Sequence, residues 1–189
     1  MKDLTGHIRQ YFGCSELDAS GLQNLFEEQH LKKGDFHTRE GQYNSGLSFI
    51  LSGCMRVYRI ADGKEYTQWL SGHGEFITDI ASLSLGKPAR WNITSLTDCK
   101  LYTLSASDYP QIKKFVPDWP EIEKLFLAKC FMIMEDRVFS FLSLSAEERY
   151  DWFSSERSEL LNYVPLQYLA SMLGMSPETL SRIRNKKLS

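Results

Sequence analysis

The sequence predicts an α+β chain in three parts: an N-terminal β-roll or jelly-roll domain, one long helix, and a C-terminal helix-turn-helix domain. Three observations point there. Between Lys33 and about Ser105, short strand-like runs alternate with Gly and Asx turns, the pattern of a rolled sandwich or barrel. Beyond Pro117 and Pro120, the stretch EIEKLFLAKCFMIMEDRVFSFLSL holds neither Gly nor Pro and is apolar on more than one side. From Pro165 the chain reads PLQYLASMLGMSPETLSRIRNKK, where small, turn-forming, capping and aliphatic residues fall at the spacing of two helices joined by a tight turn. The expected division is residues 1–116, 117–144 and 145–189.

From Leu4 to about Leu31, Ile8, Phe12, Leu22, Leu25 and Phe26 recur near helical spacing, so short helices with polar faces are expected there. The strand-like runs are LSFILSG, CMRVYRI, EYTQWLSGHGEF, ARWNITSL and CKLYTLS. Asp62-Gly63, between MRVYRI and EYTQWL, is a hairpin signal because a tight turn needs positive φ there. Leu85-Gly86-Lys87-Pro88 is expected to be a loop. The long helix carries apolar residues on two sides, from Ile122 to Leu142, and a helix apolar on two sides must be covered on two sides. The β domain supplies one cover. The same helix of a second subunit is the expected other, with burial inside a monomer as the alternative. Met132 and Met134 are expected to pack rather than to hold a cofactor. Ser145-Ala146-Glu147-Glu148 matches a capping box and starts a further helix containing Tyr150, Trp152 and Phe153.

Each residue type in the last segment has a mechanical reason. Ala170 is small where the first helix must lie close to the second, and Gly174 takes the positive-φ turn that ends the first helix. Ser176 caps the second helix, and Pro177 sits at the first helical position, where its missing N–H costs nothing. Leu169, Leu173, Leu180 and Ile183 face inward. That leaves Glu178, Thr179, Ser181, Arg182 and Arg184 outward on a helix expected to enter a DNA major groove, with Ser176 and Lys186 beside them. A helical hairpin that only packs is the alternative.

Net charge is -2 and the sequence pI is near 6.1, which by themselves argue against a nucleic-acid partner. Distribution matters more: residues 161–189 carry four Lys and Arg (Arg182, Arg184, Lys186, Lys187) against one Glu, so positive charge gathers where phosphates are expected. Hydrophobic content of 42% and aromatic content of 13% exclude global disorder. Cys14, Cys54, Cys99 and Cys130 form no C-x-x-C pair and read as reduced core thiols. The histidines, His7, His30, His37 and His73, show no metal-ligand spacing, and no charge-free apolar run approaches membrane length. The N-terminus has no apolar signal core, so a cytoplasmic protein without membrane contact is expected.

A β roll, a long helix and a C-terminal helix-turn-helix, carried by FILSGCMRVYRI (Phe49 to Ile60), GEFI (Gly74 to Ile77) and MSPETLSRI (Met175 to Ile183), resemble over nearly the whole chain the Crp/Fnr family of bacterial transcription regulators. The SAEERY segment after the long helix is similar to short Bacteroidetes-type members. The resemblance implies a cyclic-nucleotide-binding jelly roll, a dimerisation helix and a winged helix, and an effector pocket around Gly74, Glu75, Phe76, Thr78, Asp79, Ala89 and Arg90. Cyclic-AMP-binding members have, after the GEFI-like element, a Gly, a ribose-binding Glu, and an Arg-Ser or Arg-Thr pair for the cyclic phosphate. Here an ungapped match places Thr78, Asp79, Ala89 and Arg90 at those four positions. Arg90 is then one step late, and on a strand one step reverses the face. Met134 and Glu135 stand where such members carry a polar pair toward the base. Cyclic AMP is therefore not expected, and Asp79 and Arg90 have a structural ion pair or a solvated loop as their alternative. An Fnr-type iron-sulfur cluster needs four clustered thiolates, but only Cys14 lies near the N-terminus, and no His or Met stands out as a haem ligand.

On the reading helix, the resemblance carries over Glu178, to accept from cytosine, and Arg182, to fork onto guanine, while Pro177 replaces the family's first Arg. The sequence ends at Ser189, so no β wing is expected after this helix. The resulting expectation is a dimeric, sequence-specific regulator, not an enzyme, with double-stranded DNA, a second copy of the chain and RNA polymerase as partners and an unidentified small molecule as effector. The rival is a β-roll receptor whose helical tail makes protein contacts. A cupin-like enzyme comes third and lacks clustered metal ligands.

Overall fold

The computed structural model describes residues 2–188. Helices α1 (Lys2–Phe12) and α2 (Glu16–Gln23) come first, followed by β1 (Glu27–Leu31), β2 (Phe36–Thr38), β3 (Leu47–Ser52), β4 (Met55–Ala61), β5 (Lys64–Ser71) and β6 (Phe76–Ile77). Then come α3 (Ile80–Leu85), β7 (Asn92–Ser95), β8 (Cys99–Leu104), α4 (Ile112–Phe115) and the long α5 (Trp119–Ser143). The C-terminal part holds α6 (Ala146–Glu156), α7 (Leu166–Met172) and α8 (Pro177–Leu188). The architecture is the expected α+β one: a jelly-roll-like pair of sheets, a long helix, and further helices.

Two four-stranded antiparallel sheets, ordered β1-β8-β3-β6 and β2-β7-β4-β5, share a core of Leu31, Ile50, Met55, Val57, Ile93 and Leu101. The other side of β3 and β8 presents Leu47, Phe49, Tyr102 and Leu104 to α1 and α2 and to Trp119 at the start of α5. Asp62 and Gly63 both have positive φ, 52° and 72°, as a tight hairpin between β4 and β5 requires.

Two expectations change. Glu27–Leu31 is not helical: it pairs residue for residue with β8, from Glu27 opposite Thr103 to Leu31 opposite Cys99. Only Leu31 of this strand is buried, so EEQHL has too little apolar pattern to announce a strand, and the free edge of β8 decides. Leu85 belongs to the helix α3 rather than to a loop, with Asp79 as N-cap and Gly86 as a left-handed C-cap.

His37 is held on both ring nitrogens, Nδ1 by Thr38 Oγ1 at 2.8 Å and Nε2 by Ser48 Oγ at 2.7 Å. It keeps some exposed surface, but its ring nitrogens are enclosed and burial pushes its pKa from 6.5 down to about 4. The fold therefore favours the neutral ring. That contribution is complete above the unfolded pKa of 6.5 and is lost as pH falls toward 4. Denaturant midpoints measured across this window should fall less steeply for His37→Asn than for the unmodified chain; equal slopes would exclude His37 as a source.

The α7–α8 pair seats as its residue types require. Leu169, Ala170, Leu173, Leu180 and Ile183 are buried with Tyr150, Phe153 and Leu160, and this core runs on into Cys54 and Leu70 of the β domain. Ser145 and Glu148 close the capping box at the start of α6. Gly174 has φ 66°, and a Cβ there would stand 2.6 Å from the Phe141 ring of α5. The turn thus needs glycine twice, for its backbone and for the helix packed on it.

Candidate functional site

Between the β roll, α1 and α5 lies a cavity of about 490 Å³, in the size range of small-molecule sites. Of the residues expected at an effector pocket, Glu75, Phe76, Thr78, Asp79 and Arg90 line it, whereas Gly74 and Ala89 do not. Gly74 has φ 84° and turns the chain between β5 and β6 beside His7.

Asp79 is buried, and its carboxylate is consumed by backbone. Oδ1 accepts from Ser82 N at 2.9 Å, and Oδ2 accepts from Arg90 N at 2.8 Å and Trp91 N at 3.1 Å. Neither alternative reading of Asp79 holds: it makes no ion pair with the Arg90 side chain and is not in a solvated loop. Ala89 is fixed in register, its N–H donating to Gln42 O at 2.7 Å and its carbonyl accepting from Gly41 N at 2.8 Å. A one-residue slip of this segment would break both bonds and leave buried backbone unpaired. Arg90 is exposed at the rim of the cavity, and its side chain has no ion-pair partner among the described residues. Thr78 donates its hydroxyl to Gly46 O at 2.9 Å.

Glu75 is turned to another task. Its Oε1 pairs with Arg157 Nη2, and its Oε2 accepts from Gly72 N at 2.9 Å. The Arg157 guanidinium, just after α6, also lies over the Trp69 ring at 4.9 Å. A residue of the cavity wall therefore ties the β roll to the C-terminal helices.

Met134 of α5, which the resemblance set opposite the base, also lines the cavity, but Trp69 and Gln68 from β5, Trp91, Tyr11 from α1 and Ile133 from α5 went unread in the sequence. A bulge opposite Val57 and Tyr58 in the β4–β5 pairing breaks the period of two, so strand alternation does not tell which face of β5 each residue takes. The usable signal was aromatic density in EYTQWL and ARWNIT. Met134 packs here as expected, its sulfur 3.9 Å from Gln68 Nε2, whereas Met132 is exposed. Burial pushes the Tyr11 hydroxyl up to about 12, with Glu75 adding to it, so Tyr11 remains a protonated donor at neutral pH.

At the other end, Ser176 Oγ accepts from Thr179 N at 3.2 Å, and α8 begins at Pro177. Ser176, Glu178, Arg182 and Lys186 are exposed, while Thr179, Ser181 and Arg184 are half-buried. Hydrogen bonds from its own backbone N–H and from Ser176 hold the Glu178 carboxyl below the usual range. The basic cluster is partly neutralised: Lys186 meets Glu147 at 3.1 Å and Lys187 meets Asp151 at 2.5 Å, both on α6. The side chains of Arg182 and Arg184 have no such partner among the described residues.

The long helix reaches both ends. Arg137 Nη2 donates to Met172 O at 2.9 Å and Arg149 of α6 to Leu173 O at 2.8 Å, meeting free carbonyls at the end of α7, while Arg149 also donates to Leu144 O at 2.7 Å just after α5. Leu125, Met132, Phe139 and Leu142, seven or three apart, stay exposed on α5 with Phe131 and Val138 beside them. Burial inside the single chain is thus not how this stripe is covered. Among the described residues, no cluster of three or more His, Cys, Asp or Glu is placed to hold a metal ion, and no helix is long and apolar enough to cross a membrane.

Residues 28–114 match the cyclic nucleotide-binding domain family. This stretch spans the β roll, and there the chain is similar to that domain. The fold of the chain as a whole resembles that of solved bacterial structures. FixK2 from Bradyrhizobium japonicum superposes at a TM-score of 0.73 with 17% identity over 85% of this chain and 83% of that one. The catabolite activator protein of Thermus thermophilus does so at 0.59 with 22% identity over 92% and 84%. These likenesses concern the fold. In sequence, the chain is 28% identical over 102 residues to the human patatin-like phospholipase domain-containing protein 6, a match covering 53% of this chain but 7% of that protein.

Proposed function

We propose that the chain is a dimeric, sequence-specific DNA-binding transcription regulator of the Crp/Fnr type, of the short kind marked by its SAEERY segment, acting in the cytoplasm and not as an enzyme. Residues 1–116 serve as the sensor, 117–144 as the dimerisation helix and 145–189 as the DNA-binding domain. One observation carries this reading above the others. A helix-turn-helix with a solvent-facing Glu178 and Arg182 over a buried Leu180 and Ile183 is joined, through a helix with an exposed apolar stripe, to a cyclic nucleotide-binding domain. Glu178 and Arg182 read base edges; Arg184, Lys186, Thr179, Ser181 and Ser176 meet the backbone.

Cyclic AMP is not the effector on this reading. Its ribose needs a free carboxylate, which Asp79 no longer offers, and its phosphate needs a fork-shaped donor inside the pocket, whereas Arg90 lines the cavity from an exposed position at the rim.

The test is binding to a site selected from random DNA. Arg182→Ala should weaken the selected site by about 1–3 kcal/mol and relax its base preference, the scale of one bidentate base contact. Lys186→Ala should weaken all sequences about equally. An unchanged preference in Arg182→Ala would mean that α8 does not read DNA.

The second reading, a receptor with a protein-binding tail, draws on α7 already lying along β5, where Thr67 N donates to Ser171 Oγ at 2.9 Å. Salt separates the two, since phosphate contacts lose affinity steeply as salt rises and an apolar protein contact does not.

A further inference from the structure

We propose that the cavity of the cyclic nucleotide-binding domain takes an aromatic monocarboxylic acid, its ring system inside and its carboxylate at the rim on Arg90. This rests on the reading of that domain as an effector-binding module and names the chemistry of its ligand.

The inside is apolar and ring-rich. Trp69, Phe76 and Trp91 line it together with Ile77, Ile133 and Met134, in a volume of about 490 Å³. Flat rings stack or meet edge to face on such walls, and a thioether adds favourable contact with an aromatic ring. A fully charged or heavily hydroxylated ligand would lose its hydration without recovering it there.

The charges around the cavity select the sign of the one polar end. Three charged residues line it. The Glu75 carboxylate is taken by Arg157 and Gly72 N, and the Asp79 carboxylate by three backbone N–H groups. The Arg90 guanidinium, at an exposed position, has no ion-pair partner among the described residues, while its own N–H is tied to Asp79. The backbone of the anion-binding residue is thus fixed and its side chain open. A carboxylate seated there stays partly hydrated, so it pays little desolvation and takes a two-pronged hydrogen bond. A cyclic phosphate fused to its sugar lacks the apolar body to fill the rest. The same Glu75 that closes one wall holds Arg157, so a ligand pressing on that wall acts directly on the joint to the C-terminal helices.

The experiment is calorimetric titration of the full chain with 1-naphthaleneacetate, its neutral amide 1-naphthaleneacetamide, and cyclic AMP. The acid should bind at one site per chain and about fivefold more tightly than the amide, the scale of an exposed ion pair. Arg90→Gln should bring acid and amide together without abolishing either. Ala81→Phe, which adds a ring to the cavity wall from α3, should abolish both. No binding of the acid, equal affinity for acid and amide, binding that survives Ala81→Phe, or tighter binding of cyclic AMP than of the acid would each overturn the proposal. The two variants are also tested for DNA binding without ligand. Normal DNA binding by a chain that ignores the acid discards the ligand assignment alone, whereas acid binding by a chain with no DNA preference discards the regulator reading alone.

Discussion

Phe131→Asp is expected to turn a dimer into a monomer while leaving the single-chain fold intact. Phe131 is 64% exposed, so no core of the isolated chain depends on it. Around it lie Met132 at 61%, Phe139 at 67% and Leu142 at 81% exposure, far more apolar surface than a soluble helix leaves open without a partner. A two-fold interface buries each of these twice, and each side chain fully covered contributes roughly 1.5–3 kcal/mol. The substitution instead places two unpaired carboxylates in the seam, at a cost of several kcal/mol each. Sedimentation equilibrium measures the mass, and circular dichroism the retained helix and strand content. A monomeric unmodified chain, or a dimer that survives the change, would show that this stripe is not the interface. Loss of the dimer should also remove high-affinity DNA binding, because two half-sites need two reading helices.

Arg157→Ala should cost about 3 kcal/mol of stability, the lower end of what breaking a buried ion pair costs. The Arg157 side chain is 9% exposed and that of Glu75 27%, so the carboxylate left behind recovers part of its hydration, and the upper end of the range does not apply. The Trp69 face also loses its cation. Urea unfolding measures the effect as a lower midpoint. Arg157→Lys, which keeps the charge but not the planar fork, should lose less. Arg59→Ala is the contrast: its pair with Glu40 leaves Arg59 half exposed, so its midpoint should stay within about 0.5 kcal/mol of the original. If Arg157→Ala matched Arg59→Ala, the Glu75–Arg157 pair would not be the joint between the β roll and the C-terminal helices.

Much of this architecture was legible because the signals are local. Gly174, Ser176 and Pro177 each serve a backbone need within one turn of themselves, and Ser145 with Glu148 does the same at α6. Asp62-Gly63 marks its hairpin in the same way. The apolar surplus of α5 was legible too, since no single neighbour can cover two sides of a helix. The ungapped match that set Ala89 at the phosphate-binding position came from the family resemblance, and in the structure Arg90, not Ala89, lines the cavity.

The candidate site itself was half visible. Glu75, Phe76, Thr78, Asp79 and Arg90 were named from the sequence and line the cavity, but their tasks were not. Asp79 holds backbone N–H groups from α3 and the β7 approach, and Glu75 holds an arginine 82 positions away. No local pattern encodes such a pairing, because the partner is chosen by how the chain packs.

By itself, then, the sequence determined the three-part order and the turns and caps that bound its C-terminal helices. Those follow from backbone geometry and side-chain chemistry within a few residues. Only the tertiary structure decided that Glu27–Leu31 is a strand, that a bulge at β5 breaks the alternation leading to Trp69, and that both carboxylates of the cavity are spent on the protein. Each depends on which distant segment comes alongside, and the free energy that selects it lies in pairing and burial shared between segments.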